Sequence, residues 1–247
     1  DALRSASSKI LIEYYIWECD RTGTRIRDIL AERASKGVQV RVIVDGLGSS
    51  GAKADISLVV PRNIAITLGV VSASALIAGF TTDAKLNTVS GDILVDGLTG
   101  DLDVNSVNGD VQVRGLHGAF NANSVSGDIA ATGTLRRADA DTVSGNVLFD
   151  SDGPISQVNI NTVNGNATLR LPEGYPSNSV VRSVSGKIVL DGVVHSGSGT
   201  TSYTGSSGEL SGQFVDVRVN TVSGDLTVLR RPTEHTGSPA TDGEMQS

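Results

Sequence analysis

The sequence predicts a mainly β chain whose larger part is a parallel β-solenoid, a single-stranded β-helix with rungs of about 18 residues, preceded by a small βαβ unit. Three observations carry this: a glycine-centred turn word that recurs at near-constant spacing, apolar residues at fixed distances from that glycine, and a switch from helical to strand periodicity near residue 50.

The word is Asn87-Thr88-Val89-Ser90-Gly91-Asp92-Ile93. Its copies place glycine at Gly91, Gly109, Gly127, Gly145, Gly165, Gly186 and Gly224, at spacings of 18, 18, 18, 20, 21 and 38. A weaker copy, Val71-Ser72-Ala73-Ser74, lies 18 residues upstream. It makes residues 64–80, which lack charge, a first rung instead of a membrane helix, for which they fall short of the ~20 residues required. The last interval has room for one degenerate rung or a large loop.

Two residues after each glycine stand Ile93, Val111, Ile129, Val147, Ala167, Ile188 and Leu226, and four after it Val95, Val113, Ala131, Phe149, Leu169, Leu190 and Val228. Five before it stand Leu86, Val104, Ala122, Ala140, Ile160, Val181 and Val219, and two before it Val89, Val107, Val125, Val143, Val163, Val184 and Val222. The downstream spacing of two is that of a strand with one buried face. One such strand pair cannot bury that face alone, so equal rungs stack around a shared interior. With all four positions taken as interior, Val125 is expected to be nearly inaccessible. Glycine suits a corner that needs positive φ, and the flanking Ser, Asn and Asp can bond local backbone. Asn87, Asn105, Asn123, Asn161 and Asn220 are expected to stack into a ladder along the axis.

The first fifty residues follow another pattern. Lys9-Ile10-Leu11-Ile12-Glu13-Tyr14-Tyr15-Ile16-Trp17 reads as a strand, and residues 19–24 as a turn with a helix cap. Ile26, Ile29, Leu30 and Ala34 share one helical face, Gly37 suits the exit, and residues 38–45 form a second strand parallel to the first. The resulting division is a βαβ fragment at 1–48, a linker at 49–55, the solenoid at 56–230 and a disordered tail at 231–247. The apolar strands of the βαβ unit are expected to pack on the first rung, near residues 56–60 or 64–68, and cap the solenoid's end.

Composition narrows the function. The chain of 247 residues carries a net charge of −7, with eight Lys/Arg against seven Asp/Glu in residues 1–50 and twelve against twenty beyond them. No basic stripe is present for a nucleic acid. The single Cys19 excludes an intrachain disulfide.

Val60-Pro61-Arg62, the word at 87–92 and the closing Asn220-Thr221-Val222-Ser223-Gly224-Asp225-Leu226 make residues 56–230 resemble a family of bacterial adhesin-like β-solenoid domains. That family is defined by its repeat, so the resemblance implies a non-enzymatic scaffold or adhesin-like binding module, with another protein or a cell-envelope component as partner. Self-association would run through the solenoid ends. Tyr14-Tyr15-Ile16, the Thr22-Gly23 turn, Gly37-Val38-Gln39-Val40-Arg41-Val42 and Val44-Asp45-Gly46-Leu47-Gly48-Ser49 are similar to the opening βαβ unit of phospholipase D-like enzymes, notably cardiolipin synthases. The resemblance implies a His-x-Lys-x4-Asp motif whose His attacks phosphorus. In this chain His117-Gly118-Ala119, His195-Ser196-Gly197 and His235-Thr236-Gly237 all lack the lysine. A phosphodiesterase-like fragment without its own catalytic motif is therefore the alternative reading.

No catalytic, cofactor or metal residue is assigned. Asp92, Asp110 and Asp128 share one register, but the column continues as Asn146, Asn166 and Lys187 and is expected to be a solvated turn row instead of a calcium site. His117 and His195 read as surface loop residues, residues 46–51 as linker, and residues 196–208 as a flexible polar stretch.

Overall fold

The computed structural model describes residues 2–5, 9–14, 21–36, 39–44, 62–63, 65–196, 199–210 and 212–231. The expected linker at 49–55, the cap contact at 56–60 and residues 232–247 of the expected tail lie outside these. Of the described residues 67% are strand, and they form a parallel β-solenoid with ~18-residue rungs.

Two short helices, α1 (Ala2–Ser5) and α2 (Arg21–Ser35), flank β1 (Lys9–Tyr14), and β2 (Gln39–Val44) follows. The coils then run β3 (Ile66–Ser72) with β4 (Ala75–Phe80), β5 (Ala84–Ser90) with β6 (Ile93–Thr99), and β7 (Leu102–Asn108) with the first half of β8 (Val111–Ser126). The rest of β8 continues into β9 (Ile129–Ser144), and the rest of β9 into β10 (Val147–Ser151). Next come β11 (Gln157–Asn164) with β12 (Ala167–Pro172) and β13 (Ser177–Ser185) with β14 (Ile188–Leu190). Two strands outside the coil pattern, β15 (Val193–His195) and β16 (Thr201–Ser207), precede the closing coil of β17 (Val215–Ser223) and β18 (Leu226–Arg231).

The coils stack in parallel register, Leu86 on Val104 on Ala122 on Ala140 on Ile160, with register shifts between Val113 and Leu116 and between Gly118 and Ala119 where β8 meets β9. The weak copy at 71–74 is a true rung, since Ile66 to Ser72 pair with Ala84 to Ser90. Inward residues alternate as a strand requires: in β7, Leu102, Val104 and Ser106 are buried while Asp103 and Val107 are exposed. Positions five before, two after and four after the corner glycine are interior as expected, and all but Leu190 are fully buried.

The valine two before the glycine is not interior. Val125 is 50% exposed, and its equivalents Val89, Val107, Val143, Val163, Val184 and Val222 are exposed too. The reason is parity. Positions five and two before the glycine differ by three, so they face opposite sides of one strand. The inward residue is the hydroxyl one place earlier: Thr88, Ser106, Ser124, Thr142, Thr162, Thr221 and Ser183, all buried. The hydroxyls of Ser124 and Ser183 donate to the carbonyls of Ser126 and Gly224, whereas those of Thr88, Ser106, Thr142, Thr162 and Thr221 have no protein partner. Thr142→Val, which keeps the shape and removes an unpaired buried hydroxyl, is expected to raise stability by about 1 kcal/mol in urea denaturation. A loss of the same size would show that the hydroxyl is satisfied after all.

The order of coils departs from the order of the chain. β17 pairs with β11 on one side and β13 on the other, and β18 lies between β12 and β14. The last coil in sequence is therefore inserted beneath the one before it. Among its described residues the 38-residue interval holds no degenerate rung. It carries β16, which runs antiparallel along β13 from Ser177↔Ser207 to Ser183↔Thr201, and β15, antiparallel to β14. Residues 201–207, expected to be flexible, are thus an edge strand that satisfies the outermost backbone of the stack. Arg230 secures the inserted coil, donating to the Tyr175 carbonyl and to Ser177 Oγ at 2.7 Å. Arg231 pairs with the buried Asp150. Arg231 therefore belongs to β18 and not to the tail.

At the other end β1 and β2 are parallel, as the strand–helix–strand order requires, and β2 continues the solenoid sheet by pairing with β3 from Arg41↔Thr67 to Val44↔Val70. The helix starts earlier than the turn reading placed it, with Thr22 and Gly23 inside α2, and among its described side chains Leu30 is buried. The βαβ unit meets the first rung as added strands, at Thr67–Val70, which overlaps the expected 64–68 region only at Thr67 and Leu68. Deleting residues 1–45 is expected to bare the β3 edge and convert a defined species into larger, concentration-dependent assemblies by light scattering. An unchanged mass would end the capping role.

Candidate functional site

The corner built by each glycine is held by a continuous chain of side-chain acceptors. The backbone N–H of Asp92 donates to Ser74 Oγ, Asp110 to Asp92 Oδ1, Asp128 to Asp110 Oδ1, and Asn146 to Asp128 Oδ1, at 2.7–3.3 Å. The chain then passes from Asn146 to Asn166, from Asn166 to Asp225, and from Asp225 to Lys187. Asp225 stands between Asn166 and Lys187 because its coil is the inserted one, which corrects the expected column. Lys187 ends the series, since an ammonium can accept nothing from a further coil. These carboxylates are structural, each with one oxygen committed to the neighbouring coil. Among the described residues no group of three or more His, Cys, Asp or Glu is placed to hold a metal.

The asparagine ladder forms on the outer face of the sheet that contains β5, β7, β8, β9, β11 and β17. Asn105 Nδ2 donates to Asn87 Oδ1 at 3.0 Å and Asn123 Nδ2 to Asn105 Oδ1 at 3.1 Å. Asp141 comes next in register, and the series resumes as Asn161 to Asp141 at 2.7 Å and Asn220 to Asn161 at 2.9 Å. Asp141 stands four before Gly145, the place that asparagine takes in the other ladder coils, so the ladder includes one carboxylate that recurrence of asparagine does not mark. Asn105 uses one amide hydrogen and one acceptor site along the axis, so its second hydrogen and second lone pair remain for solvent or ligand.

Two places further from the corner runs a second outward column, Asp103, Asn121, Asp139, Asn159 and Arg218. Asn121 donates to Asp103 and Asn159 to Asp139. Arg137 bonds Asp139 through Nε, and Arg218 bonds Asp216. The bond to Asp139 pushes the Arg137 guanidinium above its already high pKa, so it is a permanent cation. Arg136 reaches across two coils to Asp101. Between these columns lies an open groove of about 670 Å³, lined by Asp101, Asp103, Asn121, Arg137, Asp139, Asp141, Asn159, Asn161, Arg218 and Asn220, with the backbone around Phe120 and Ala140 beneath. It offers amide, carboxylate and guanidinium groups in rows. Sequence reading did not find it, because outward columns become visible only once strand parity is known.

The remaining candidates are scattered. His117 is exposed on β8, and His195 is half-buried on β15 with its ring 4.9 Å from that of Tyr203. His235 and residues 46–51 lie outside the described residues. Among those described, no helix is long and apolar enough to cross a membrane.

No solved structure matches the chain. Among curated proteins it is similar to cardiolipin synthase 1 of Bacillus cereus, 47% identical over 49 residues, which is 20% of this chain and 10% of the synthase. It is likewise similar to the major cardiolipin synthase ClsA of Bacillus subtilis, 45% identical over 47 residues, and to a cardiolipin synthase of Clostridium perfringens, 38% identical over 56 residues. The chain spans about a tenth of the length of these relatives. Residues 72–134, from the end of β3 into β9, match the family model described as Toastrack DUF4097, which places that match on consecutive coils of the solenoid.

Proposed function

We propose that the chain is a non-catalytic binding module whose ladder face takes a hydroxyl-rich polymer of the cell envelope. The observation that carries this reading is the groove over the amide and carboxylate columns. Its asparagines, Asn121, Asn159, Asn161 and Asn220, each donate one amide hydrogen to the neighbouring coil and keep a second donor, at the rung spacing of about 4.8 Å, as an extended, repeating polyhydroxylated chain requires. The match of residues 72–134 to the Toastrack model supports a repeat module of this kind. The test is co-sedimentation of the full chain with purified peptidoglycan and with insoluble glucan. The Asn121→Ala/Asn159→Ala variant should stay folded and lose retention. Absence of retention on both polymers, or equal retention of the variant, would refute the reading.

The similarity to cardiolipin synthases favours a second reading, a phosphodiesterase-like fragment that acts only with a catalytic partner chain. The sequence holds no His-x-Lys pair. A phospholipase assay with and without an intact synthase checks it, and activity that rises only in the mixture would replace the binding module as the leading account.

A further inference from the structure

One outward position behaves unlike the others. Two residues before the corner, every coil carries valine: Val89, Val107, Val125, Val143, Val163, Val222 and Val184 in spatial order, each 41–51% exposed. Apart from the asparagine ladder and the Ser/Asn place beside the glycine, both polar, the other outward positions of the same coils vary freely. Three after the glycine stand Leu94, Gln112, Ala130, Leu148, Thr168, Thr227 and Val189, and six before it stand Lys85, Asp103, Asn121, Asp139, Asn159, Arg218 and Val180. Stacking on the coils above and below accounts for the covered half of each valine, as cross-strand pairs do in any sheet. It leaves the outer half unexplained. Together these halves make a straight apolar strip on the order of 500 Å², the size at which exposed patches mark interaction sites.

We propose that this strip is the interface between two copies of the chain, packed side by side through their valine columns. Three features specify a second copy as the occupant. A column with one branched side chain every ~4.8 Å is complemented along its whole length only by an object of the same period, and a second solenoid has that period by construction. The adjoining column on the corner side, Ser90, Asn108, Ser126, Ser144, Asn164, Ser223 and Ser185, carries no charge, and the ladder column on the other side carries only Asp141 and Arg182, of opposite sign, so two copies meet through an apolar core with a polar border of no net charge. With that border the strip approaches the roughly 800 Å² per partner of a standard interface. The insertion of the last coil keeps the column unbroken, because Val222 falls between Val163 and Val184. The ladder groove lies on the far side of the asparagine column and stays open. The expected self-association is thus through a face and not through the capped ends.

The test is sedimentation of the full chain across concentration and salt. A dimer is expected that tightens with salt, because each copy carries −7 and the contact itself is apolar. Val125→Thr/Val143→Thr keeps the β-branched shape and should weaken the dimer at least about tenfold. Val125→Asp/Val163→Asp should leave a folded monomer, with the circular dichroism spectrum unchanged. A chain that stays monomeric at all concentrations, or a dimer that both variants preserve, would overturn the proposal. Should the aspartate pair unfold, the threonine pair alone decides.

Discussion

Gly127→Ala is expected to cost the solenoid about 3–5 kcal/mol, although it adds a single methyl group. Two independent constraints meet at this residue. Its φ is +120°, where an L side chain is strained, and a Cβ there would lie 2.7 Å from the carbonyl carbon of Gly109 in the coil below, and closer still to its oxygen. The obstacle is backbone hydrogen-bonded into the stack, for the Gly109 amide itself donates to the Ser126 carbonyl, so it cannot move without disturbing two coils. Val125→Asp, two residues away, should cost the fold under about 1 kcal/mol because its own coils leave half of the side chain uncovered, so a charge there can point outward. Urea denaturation of both variants checks the pair. Equal losses would mean that the corner tolerates a side chain and that the stack is looser than its geometry.

Phe149→Ala is expected to remove about 3–5 kcal/mol, at the upper end of core truncations. Phe149 is fully buried and meets Phe120 edge to face, with ring centroids 5.8 Å apart and planes at 87°. On one side of each ring the neighbouring coil carries an alanine in register, Ala131 for Phe149 and Ala138 for Phe120, while Leu169 and Leu102 stand on the other side. Each ring fills volume that a neighbouring alanine leaves open. After truncation those alanines have nothing to extend into the void, so the cavity persists instead of collapsing. Phe149→Leu should recover more than half of the loss. If the alanine variant loses under about 1.5 kcal/mol, the interior repacks and the coils are not rigidly spaced.

How much of this was legible depends on whether a feature repeats. Gly91, Gly109 and Gly127 mark the corner in one dimension, and the residues two and four beyond them mark the core, because each coil must solve the same packing problem. The asparagine ladder followed from the same register. Val125 shows where the reasoning stopped: recurrence shows that a position matters, but only its parity within the strand shows which way it points. The groove around Asp103, Asn121 and Asp139 was hidden for a related reason, since its residues vary from coil to coil and leave no repeated signal.

By itself, then, the sequence determined the solenoid, its rung length, its corner glycines and its parallel βαβ start, all consequences of local periodicity. The tertiary structure decided three things that periodicity cannot express. It placed Val217 and Val219 of the last coil between β11 and β13, because a register satisfied equally by several coils does not specify which neighbour a coil takes. It turned residues 201–207 into an edge strand, because the backbone of β13 needed a partner there. It also added to the positive φ at Gly127 the carbonyl of Gly109 pressed against it, a contact between residues 18 apart that exists only when the coils are stacked.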